Sequence, residues 1–255
     1  MDFNKTAMYH IGITPGQGAE YAILTGDPGR VESIARLLEQ PEFAASNREY
    51  TVWAGKISGR RVLVASHGIG GPSMAICVEE LAKCGVHTMI RVGTCGGMSK
   101  DVLGGDLVIA NAAIRQEGTS LEYLPVQFPA VSDFRVTRAL VEAAGKLGKR
   151  VHVGVVQSKD SFYGQHSPDE SPVSYQLKNQ WEAWIKGGCL ASEMECAALF
   201  TVASARKLRA GCILHVIWNQ ELEAAGLDNK PDYDTISAAK AAVNATRLLI
   251  EQDGA

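Results

Sequence analysis

The sequence has no excess of positive charge, no long apolar run and no Cys-x-x-Cys pair. Its 255 residues carry a formal net charge of −3 at pH 7. Nucleic-acid-binding surfaces normally need a basic patch, so this balance argues against a nucleic-acid partner. The longest apolar stretches, such as 211–218, fall far short of the ~20 residues that cross a bilayer, so no membrane partner is expected.

The N-terminal residues also lack a basic segment followed by an apolar one, so the sequence predicts no secretory signal. In a chain of this length without such a signal, cysteines are expected to be reduced thiols, and a cytoplasmic location is expected. This interpretation applies to all six cysteines: Cys77, Cys84, Cys95, Cys189, Cys196 and Cys212.

What the sequence does contain is an alternation of strand and helix patterns from end to end. Apolar residues make up 46% and charged residues 21%, as in ordinary globular proteins. The pattern predicts one α/β domain over 1–255, with a mostly parallel central sheet covered by helices on both faces. A strand at 21–26 is followed by a predicted helix at 29–39. The segment 49–70 predicts a hairpin, which makes the sheet mixed.

Three glycine-rich turns follow predicted strands, at 26–30, 68–73 and 91–97. Ligands of such sheets bind at the carboxyl ends of the strands, and backbone N–H groups at a helix start attract anions. Arg30 and Arg91 lie beside these turns and can contact an oxyanion through two N–H groups each, and Thr94 can add a hydroxyl. Each turn alone is weak evidence, because α/β sheets need glycine turns for structural reasons as well.

Several better-known motifs are absent or incomplete. The sequence contains no phosphate-binding loop of the G-x-x-x-x-G-K-[ST] type and no well-placed G-x-G-x-x-G. The segment 71–75, Gly-Pro-Ser-Met-Ala, nearly matches the nucleophile elbow of hydrolases, but its last glycine is missing and Pro72 precedes the serine. Glu193 and Glu195 can be first-turn acids of a helix, or one of them can turn inward to accept hydrogen bonds from sugar hydroxyls.

Six segments in order then resemble one family: TGDPGR, NREYTVW, SHGIGGPS, IRVGTCGG, DSFYGQ and ASEMECAALF. They resemble the hexameric nucleoside phosphorylases of the nucleoside phosphorylase-I superfamily, and in particular its uridine-cleaving members, from about His10 to the last helix. The resemblance implies a single-domain, three-layer α/β/α fold whose mixed sheet is partly barrel-like. It also implies phosphorolysis, in which inorganic phosphate attacks C1′ of a nucleoside and releases the base and ribose 1-phosphate.

The resemblance also assigns residues to the phosphate and the ribose. Arg91, Arg30 and Glu195 are implied as catalytic. The phosphate site is implied to consist of Gly26, Arg30, Arg48, Arg91 and Thr94, with Arg48 donated by a neighbouring subunit. The ribose is implied to contact Met194, Glu195 and a neighbour's His10, with Glu195 accepting from the 2′- and 3′-hydroxyls.

The base site decides which nucleoside is cleaved. Purine-cleaving relatives place an aspartate after the late strand, where this chain has Asn219-Gln220-Glu221. Phe162, Gln165 and Gln220 are implied to contact the base, and a carboxamide at 165 suits uracil because it can both donate and accept. The arginine pair of some uridine-cleaving members is absent, since Ser167 and Gln220 stand in its place. We therefore expect uridine as substrate, with deoxyuridine and thymidine as further candidates.

Other implications concern partners, cofactors and alternatives. No cofactor is expected to be required, although Glu49, Ile69 and Ser73 match a potassium site at the dimer interface of some relatives. Glu49 in an interface ion pair and Ser73 as a helix cap explain these residues equally well. Donated residues imply a homo-oligomer, with a hexamer built as a trimer of dimers. A purine nucleoside phosphorylase, a nucleosidase of the same fold and a non-catalytic nucleoside-binding protein are the alternatives.

Overall fold

The computed structural model describes residues 6–254, which form a mixed α/β domain. The strands are β1 Tyr21–Thr25, β2 Glu39–Asn47, β3 Tyr50–Ile57, β4 Arg60–Ser66, β5 Thr88–Gly97, β6 Leu107–Gln116, β7 Ala130–Val131, β8 Val151–Lys159, β9 Ala191–Glu193 and β10 Arg209–Asn219. The helices are α1 Val31–Ala35, α2 Gly71–Lys83, α3 Phe134–Gly145, α4 Phe162–His166, α5 Ser174–Lys186, α6 Cys196–Ala205, α7 Gln220–Ala224 and α8 Ile236–Asp253.

All ten strands described belong to one sheet that is partly closed. Strands β5, β9, β8, β6 and β10 form a ring, because β10 pairs with β6 on one side and with β5 on the other. The open part continues from β5 through β1, β4 and β3 to β2. The pairs β1–β4, β1–β5, β5–β10 and β6–β8 are parallel, whereas β3 pairs antiparallel with both β2 and β4. The expectation of a mixed, partly barrel-like sheet is confirmed.

Helices cover both faces of this sheet and divide the core in two. One apolar cluster contains α2 and α6 residues such as Met74, Leu81 and Phe200. The other contains residues of α1, α3 and α8, such as Ile34, Leu140 and Leu249. These clusters lie on opposite faces because successive strand residues point in opposite directions, so Leu24 belongs to the first and Ile23 to the second. The three-layer prediction is therefore confirmed.

Two local predictions had different outcomes. The hairpin is present as β3 and β4, joined by Ser58 and Gly59, whose φ angles of 50° and 75° are those of a tight hairpin turn. The helix predicted over 29–39 is wrong beyond Ala35, since the chain turns and enters the edge strand β2 at Glu39. Pairing of β2 with β3 and burial of Leu38 override the local helical pattern.

The fold brings the carboxyl ends of β1, β4, β5 and β10 to one edge of the sheet, where the glycine-rich turns at 26–30 and 68–73 lie. The turn predicted at 91–97 is wrong, because these residues continue strand β5 to Gly97 and pair with β10. Among residues 6–254, no helix combines the length and the apolar character that crossing a membrane requires.

The close approach of β10 to α3 supplies a stability test. A Cβ added at Gly211 would lie 2.4 Å from Cγ1 of Val136, so Gly211→Ala forces the helix away from the sheet. We expect a loss of about 1–3 kcal/mol in the free energy of unfolding, measured by urea denaturation. Gly145→Ala at the end of α3 is the control, because nothing lies within 4 Å of its added Cβ. Equal stability of the two variants would contradict this packing.

Candidate active site

A cavity of about 800 Å³ opens at the carboxyl edge of the sheet. Ten of the predicted site residues line it: Gly26, Arg30, Glu49, Ile69, Arg91, Thr94, Phe162, Gln165, Met194 and Glu195. They come from turns and strand ends spread over 170 residues of sequence, and the parallel strands collect them in one place. The expectation that strand ends carry the site is met by this geometry.

The floor of the cavity contains a buried ion pair between Arg91 and Glu195. Arg91 Nη2 donates to Glu195 Oε2 and lies 3.5 Å from Glu193 Oε2, and the other Glu195 oxygen accepts from Gly70 N–H at 2.7 Å. Burial opposes the charge of Arg91, but Glu195, Cys212 and Glu193 raise its pKa well above the ordinary value. Despite burial, Arg91 lowers the pKa of Glu195, so both groups are charged.

A second guanidinium, that of Arg30, lies next to this pair and has no such carboxylate. Burial and the repulsion of Arg91 lower the pKa of Arg30, while Asp27 is 4.0 Å away at the edge of a salt bridge. Asp27 instead caps the short turn through Gly29 N–H at 2.8 Å. Two cations therefore converge beside the glycine turn at Gly26, a geometry that favours an oxyanion between them.

The two acids around Met194 have different roles. The carboxylate of Glu193 accepts from the backbone N–H groups of Glu195 at 2.8 Å and of Cys196 at 2.9 Å. It also accepts from the hydroxyl of Ser158. Glu193 is the last residue of β9, not a first-turn acid, and from there its carboxylate stabilises the N–H groups at the start of α6. Glu193, Met194 and Glu195 all line the cavity, and of the two acids it is Glu195 that accepts a hydrogen bond from Arg91.

The other end of the cavity is lined by aromatic rings. The ring centroids of Phe162 and His166 are 4.2 Å apart, and those of His166 and Trp218 are 5.4 Å apart. The Trp218 ring covers Gly96, where an added Cβ would lie 3.3 Å from it. Burial and the nearby Lys159 lower the pKa of His166, which keeps its ring neutral at pH 7. Flat apolar walls of this kind suit a flat heterocycle.

Between the two ends lies Lys159, which the sequence analysis missed. Its ammonium group donates to Ser192 Oγ at 2.7 Å, and burial lowers its pKa to about 8 although Glu193 and Glu195 oppose the shift. Lys159 is the last residue of β8, so its position at a strand end was the available signal. His67 follows β4 but is not among the residues that line the cavity, and burial with repulsion by Arg91 lowers its pKa to about 3.

Gln220 lies behind Gln165 rather than in the main cavity. Gln165 Nε2 lies 2.9 Å from Gln220 Oε1, and both residues line a second cavity of about 280 Å³. The main cavity and this smaller one share Lys159 and Gln165. The structure therefore brings Gln220 next to the predicted base-reading residue without placing it on the main cavity wall.

His10 and Arg48 do not line the cavity of their own chain. His10 Nδ1 lies 2.7 Å from Glu80 Oε1, and Arg48 is exposed at the turn between β2 and β3 with a φ of 55°. Their predicted donation to a neighbouring subunit stays a prediction.

The residues expected to hold potassium are adjacent. Ser73 Oγ donates to Glu49 Oε1 at 3.0 Å and contacts the carbonyl of His67 and, at 3.1 Å, the hydroxyl of Tyr50. Ile69, with 76% of its surface exposed, lines the cavity beside Glu49. No imidazole contacts Ser73 among these partners, which argues against the nucleophile elbow. Within residues 6–254 no three His, Cys, Asp or Glu side chains are grouped to hold a metal ion.

Fold and site together define an enzyme-like pocket for an oxyanion and a flat ring, and comparison with known proteins agrees. Residues 20–251 match the phosphorylase superfamily, and the chain belongs to that family. It is 53% identical over 251 residues to a uridine phosphorylase of Treponema pallidum, covering 98% of this chain and 97% of the relative. It is 41% identical over 252 residues to a uridine phosphorylase of Escherichia coli, covering 97% of this chain and 100% of the relative.

A guanosine phosphorylase of Halorubrum lacusprofundi is also similar, at 39% identity over 240 residues and 94% of both chains. The family therefore includes relatives named for a pyrimidine nucleoside and for a purine nucleoside.

The buried pair predicts a stability effect. Arg91→Met removes the cation from two buried carboxylates, so we expect a loss of about 3–5 kcal/mol in the free energy of unfolding. Adding Glu195→Gln removes the stranded charge and should restore a large part of that loss in the double variant. Urea denaturation of the three proteins measures both effects. Additive destabilisation by the two substitutions would rule out a direct charge interaction.

Proposed function

We propose that the protein is a pentosyltransferase that cleaves uridine with inorganic phosphate, giving uracil and ribose 1-phosphate. The observation that carries this proposal is the convergence of Arg30 and Arg91 beside Gly26, at one end of a cavity whose other end is aromatic. The two relatives named uridine phosphorylase, similar over nearly the whole chain, support it. Deoxyuridine and thymidine are further candidate substrates.

Phosphate at the guanidinium end serves two purposes. Arg30, Arg91 and the Thr94 hydroxyl orient it for attack on C1′ of the sugar. Its negative charge then lies next to the sugar ring as the glycosidic bond breaks and positive charge develops there. Because phosphate is the nucleophile, no covalent intermediate with the protein is needed. Of the six cysteines, Cys95 lines the cavity, and burial raises the pKa of its thiol, which keeps it in the weakly nucleophilic protonated form.

Glu195 and Met194 form the ribose site in this proposal. Each carboxylate oxygen of Glu195 already accepts one hydrogen bond, from Gly70 N–H or Arg91, and keeps a lone pair for a sugar hydroxyl. The ion pair with Arg91 keeps Glu195 ionised and therefore able to accept. The same contact links the phosphate-binding cation to the ribose-binding anion.

The leaving base gathers negative charge, and Lys159 is a cation that shares a hydrogen-bond partner with the predicted base-reading residue. Both Lys159 and Gln165 contact Ser192 Oγ, at 2.7 and 2.6 Å, and both line the cavity. We propose that Lys159 stabilises the departing uracil anion, a role for which purine relatives use an acid at the late strand. Here Asn219 occupies that place and is committed to structure: it caps α7 and donates to the carbonyls of Ser99 and Val102, both at 2.7 Å.

We also propose a homo-oligomer with shared sites, as a trimer of dimers in which His10 and Arg48 complete a neighbour's pocket. Support comes from their position on one surface of the chain: Asn47, next to Arg48, donates to the carbonyl of His10 at 2.9 Å. Glu49 and Ser73, 3.0 Å apart, supply carboxylate and hydroxyl oxygens that suit a hard cation such as potassium beside Ile69. Such a cation would order Glu49 at the cavity wall.

The reaction itself is tested by uracil release from uridine with and without phosphate. We expect release only with phosphate, together with ribose 1-phosphate, and slower release of base from inosine. Arg30→Ala removes one oxyanion donor, so kcat/KM for phosphate should fall by a factor of about 10². Arg30→Lys is the matched control and should retain part of the activity. Equal release in phosphate-free buffer, or inosine as the faster substrate, would defeat the proposal.

Lys159 predicts a pH dependence. Burial lowers its pKa to about 8, so the cation is present below that pH and is lost as the pH rises through it. We expect kcat/KM for uridine to fall above pH 8. Lys159→Met lacks the cation at every pH, so its activity should be low and should show no step near pH 8. A step retained in Lys159→Met would assign the titration to another group.

A further inference from the structure

A chain of hydrogen bonds runs from helix α5 to the predicted base-reading residue. Trp184 Nε1 donates to Gln116 Oε1 at 3.0 Å, and Gln157 Nε2 donates to the same oxygen at 2.5 Å. Ser192 Oγ then lies 2.5 Å from Gln157 Oε1 and 2.6 Å from the side-chain amide of Gln165. Gln157, Ser192 and Gln165 are buried, and they lie between the two cavities: Gln157 and Gln165 line the smaller one, and Ser192 and Gln165 line the main one.

The hydroxyl of Ser192 is the critical link because it has a single proton. Oxygens of two glutamines face it, at 2.5 Å for Gln157 and 2.6 Å for Gln165, and it can donate to only one of them. The two ends of a carboxamide have the same shape, so a half-turn of the side chain replaces a facing oxygen with an N–H donor. One of the two glutamines must therefore present its NH₂ group to Ser192.

Trp184 decides which one. An indole N–H can only donate, so the atom of Gln116 that it contacts must be the oxygen. Gln157 must then give its NH₂ group to Gln116, which leaves the Gln157 oxygen facing Ser192. Ser192 donates to Gln157, and Gln165 has to turn its NH₂ group toward Ser192 Oγ. That oxygen can accept from Gln165 as well as from Lys159.

We propose that Trp184 is a positioning residue for substrate selection, acting through Gln116, Gln157 and Ser192 on the amide orientation of Gln165. In that orientation the Gln165 oxygen faces the side-chain amide of Gln220, 2.9 Å away, which then turns its NH₂ group toward it. The Gln165 oxygen keeps a second lone pair, which can accept from the ring N–H of an imide such as uracil. Cytosine has a lone pair at the corresponding N3 position and meets an oxygen that repels it. This inference rests on the proposed function, because it concerns how the same site distinguishes uridine from cytidine.

Without the indole N–H, nothing fixes which groups donate and which accept along the series of hydrogen bonds. Trp184→Phe keeps an aromatic ring but loses the N–H donor. The side-chain amide of Gln116 can then adopt either orientation, and both orientations of the Gln165 amide have hydrogen-bond partners. Uridine then binds only the fraction of molecules with the original orientation, so its Kd should rise by about twofold for an even mixture. Cytidine gains the reversed orientation and should bind more tightly. We expect the ratio of the two Kd values to change by about fivefold or more.

Both Kd values can be measured by calorimetry in phosphate-free buffer, where uridine is not consumed. Gln157→Met interrupts the chain elsewhere and should change the ratio in the same direction. Gln180→Ala is the matched control. Gln180 lies on α5, and its Oε1 accepts from Gln116 Nε2 at 2.7 Å, but its loss leaves Trp184 to fix the orientation of the Gln116 amide. In a Gln165→Ala background, Trp184→Phe should have no effect on the ratio.

The outcomes separate this inference from the proposed function. Tighter cytidine binding in Trp184→Phe and Gln157→Met, with Gln180→Ala unchanged, would support it. Weaker binding of both nucleosides by the same factor, or an equal change of the ratio in Gln180→Ala, would indicate general disruption and overturn it. An unmodified chain that cleaves uridine, with variants of unchanged ratio, would overturn this inference alone. No uridine binding by the unmodified chain would overturn both.

Discussion

The guanidinium of Arg91, buried on strand β5, requires nearby negative charge, and much of the site follows from that requirement. Glu195 supplies the charge, and Glu193 lies within 3.5 Å of the same nitrogen. For Glu195 to reach Arg91, α6 must begin where it does, and the carboxylate of Glu193 caps that start. A buried cation and anion held this way are already aligned, so phosphate and ribose meet charged groups that need little rearrangement.

The rest of the cavity combines a positively charged part with an aromatic part. Arg30 adds positive charge where phosphate is expected, while Phe162, His166 and Trp218 provide flat walls where the base is expected. Lys159 lies between glutamate carboxylates and the base end, and its lowered pKa means that the protein holds this cation against a desolvation cost. Groups kept charged in a buried place are costly, which is consistent with their use in a reaction that moves charge.

A good part of this could be predicted from residues alone. Alternating periodicities indicated a covered α/β sheet, and glycine turns with Arg30 and Arg91 at strand ends indicated an anion site. The helix predicted beyond Ala35 was wrong because Leu38 and the β2–β3 pairing outweigh local propensity. Lys159 escaped notice because a single polar residue at the end of a strand has no distinctive pattern, and only the neighbouring strands give it a site.

The sequence by itself determined the family and the layer architecture, and it predicted the residue types for phosphate, ribose and base, since these follow from local periodicity and from ordered motifs. Only the tertiary structure decided which of two neighbouring glutamates accepts a hydrogen bond from Arg91 and which accepts from the N–H groups at the start of α6. Only the tertiary structure also connects Trp184 to Gln165 through residues of three different strands. Such outcomes depend on distances between segments far apart in the chain, which hydrogen-bond geometry resolves and sequence order does not.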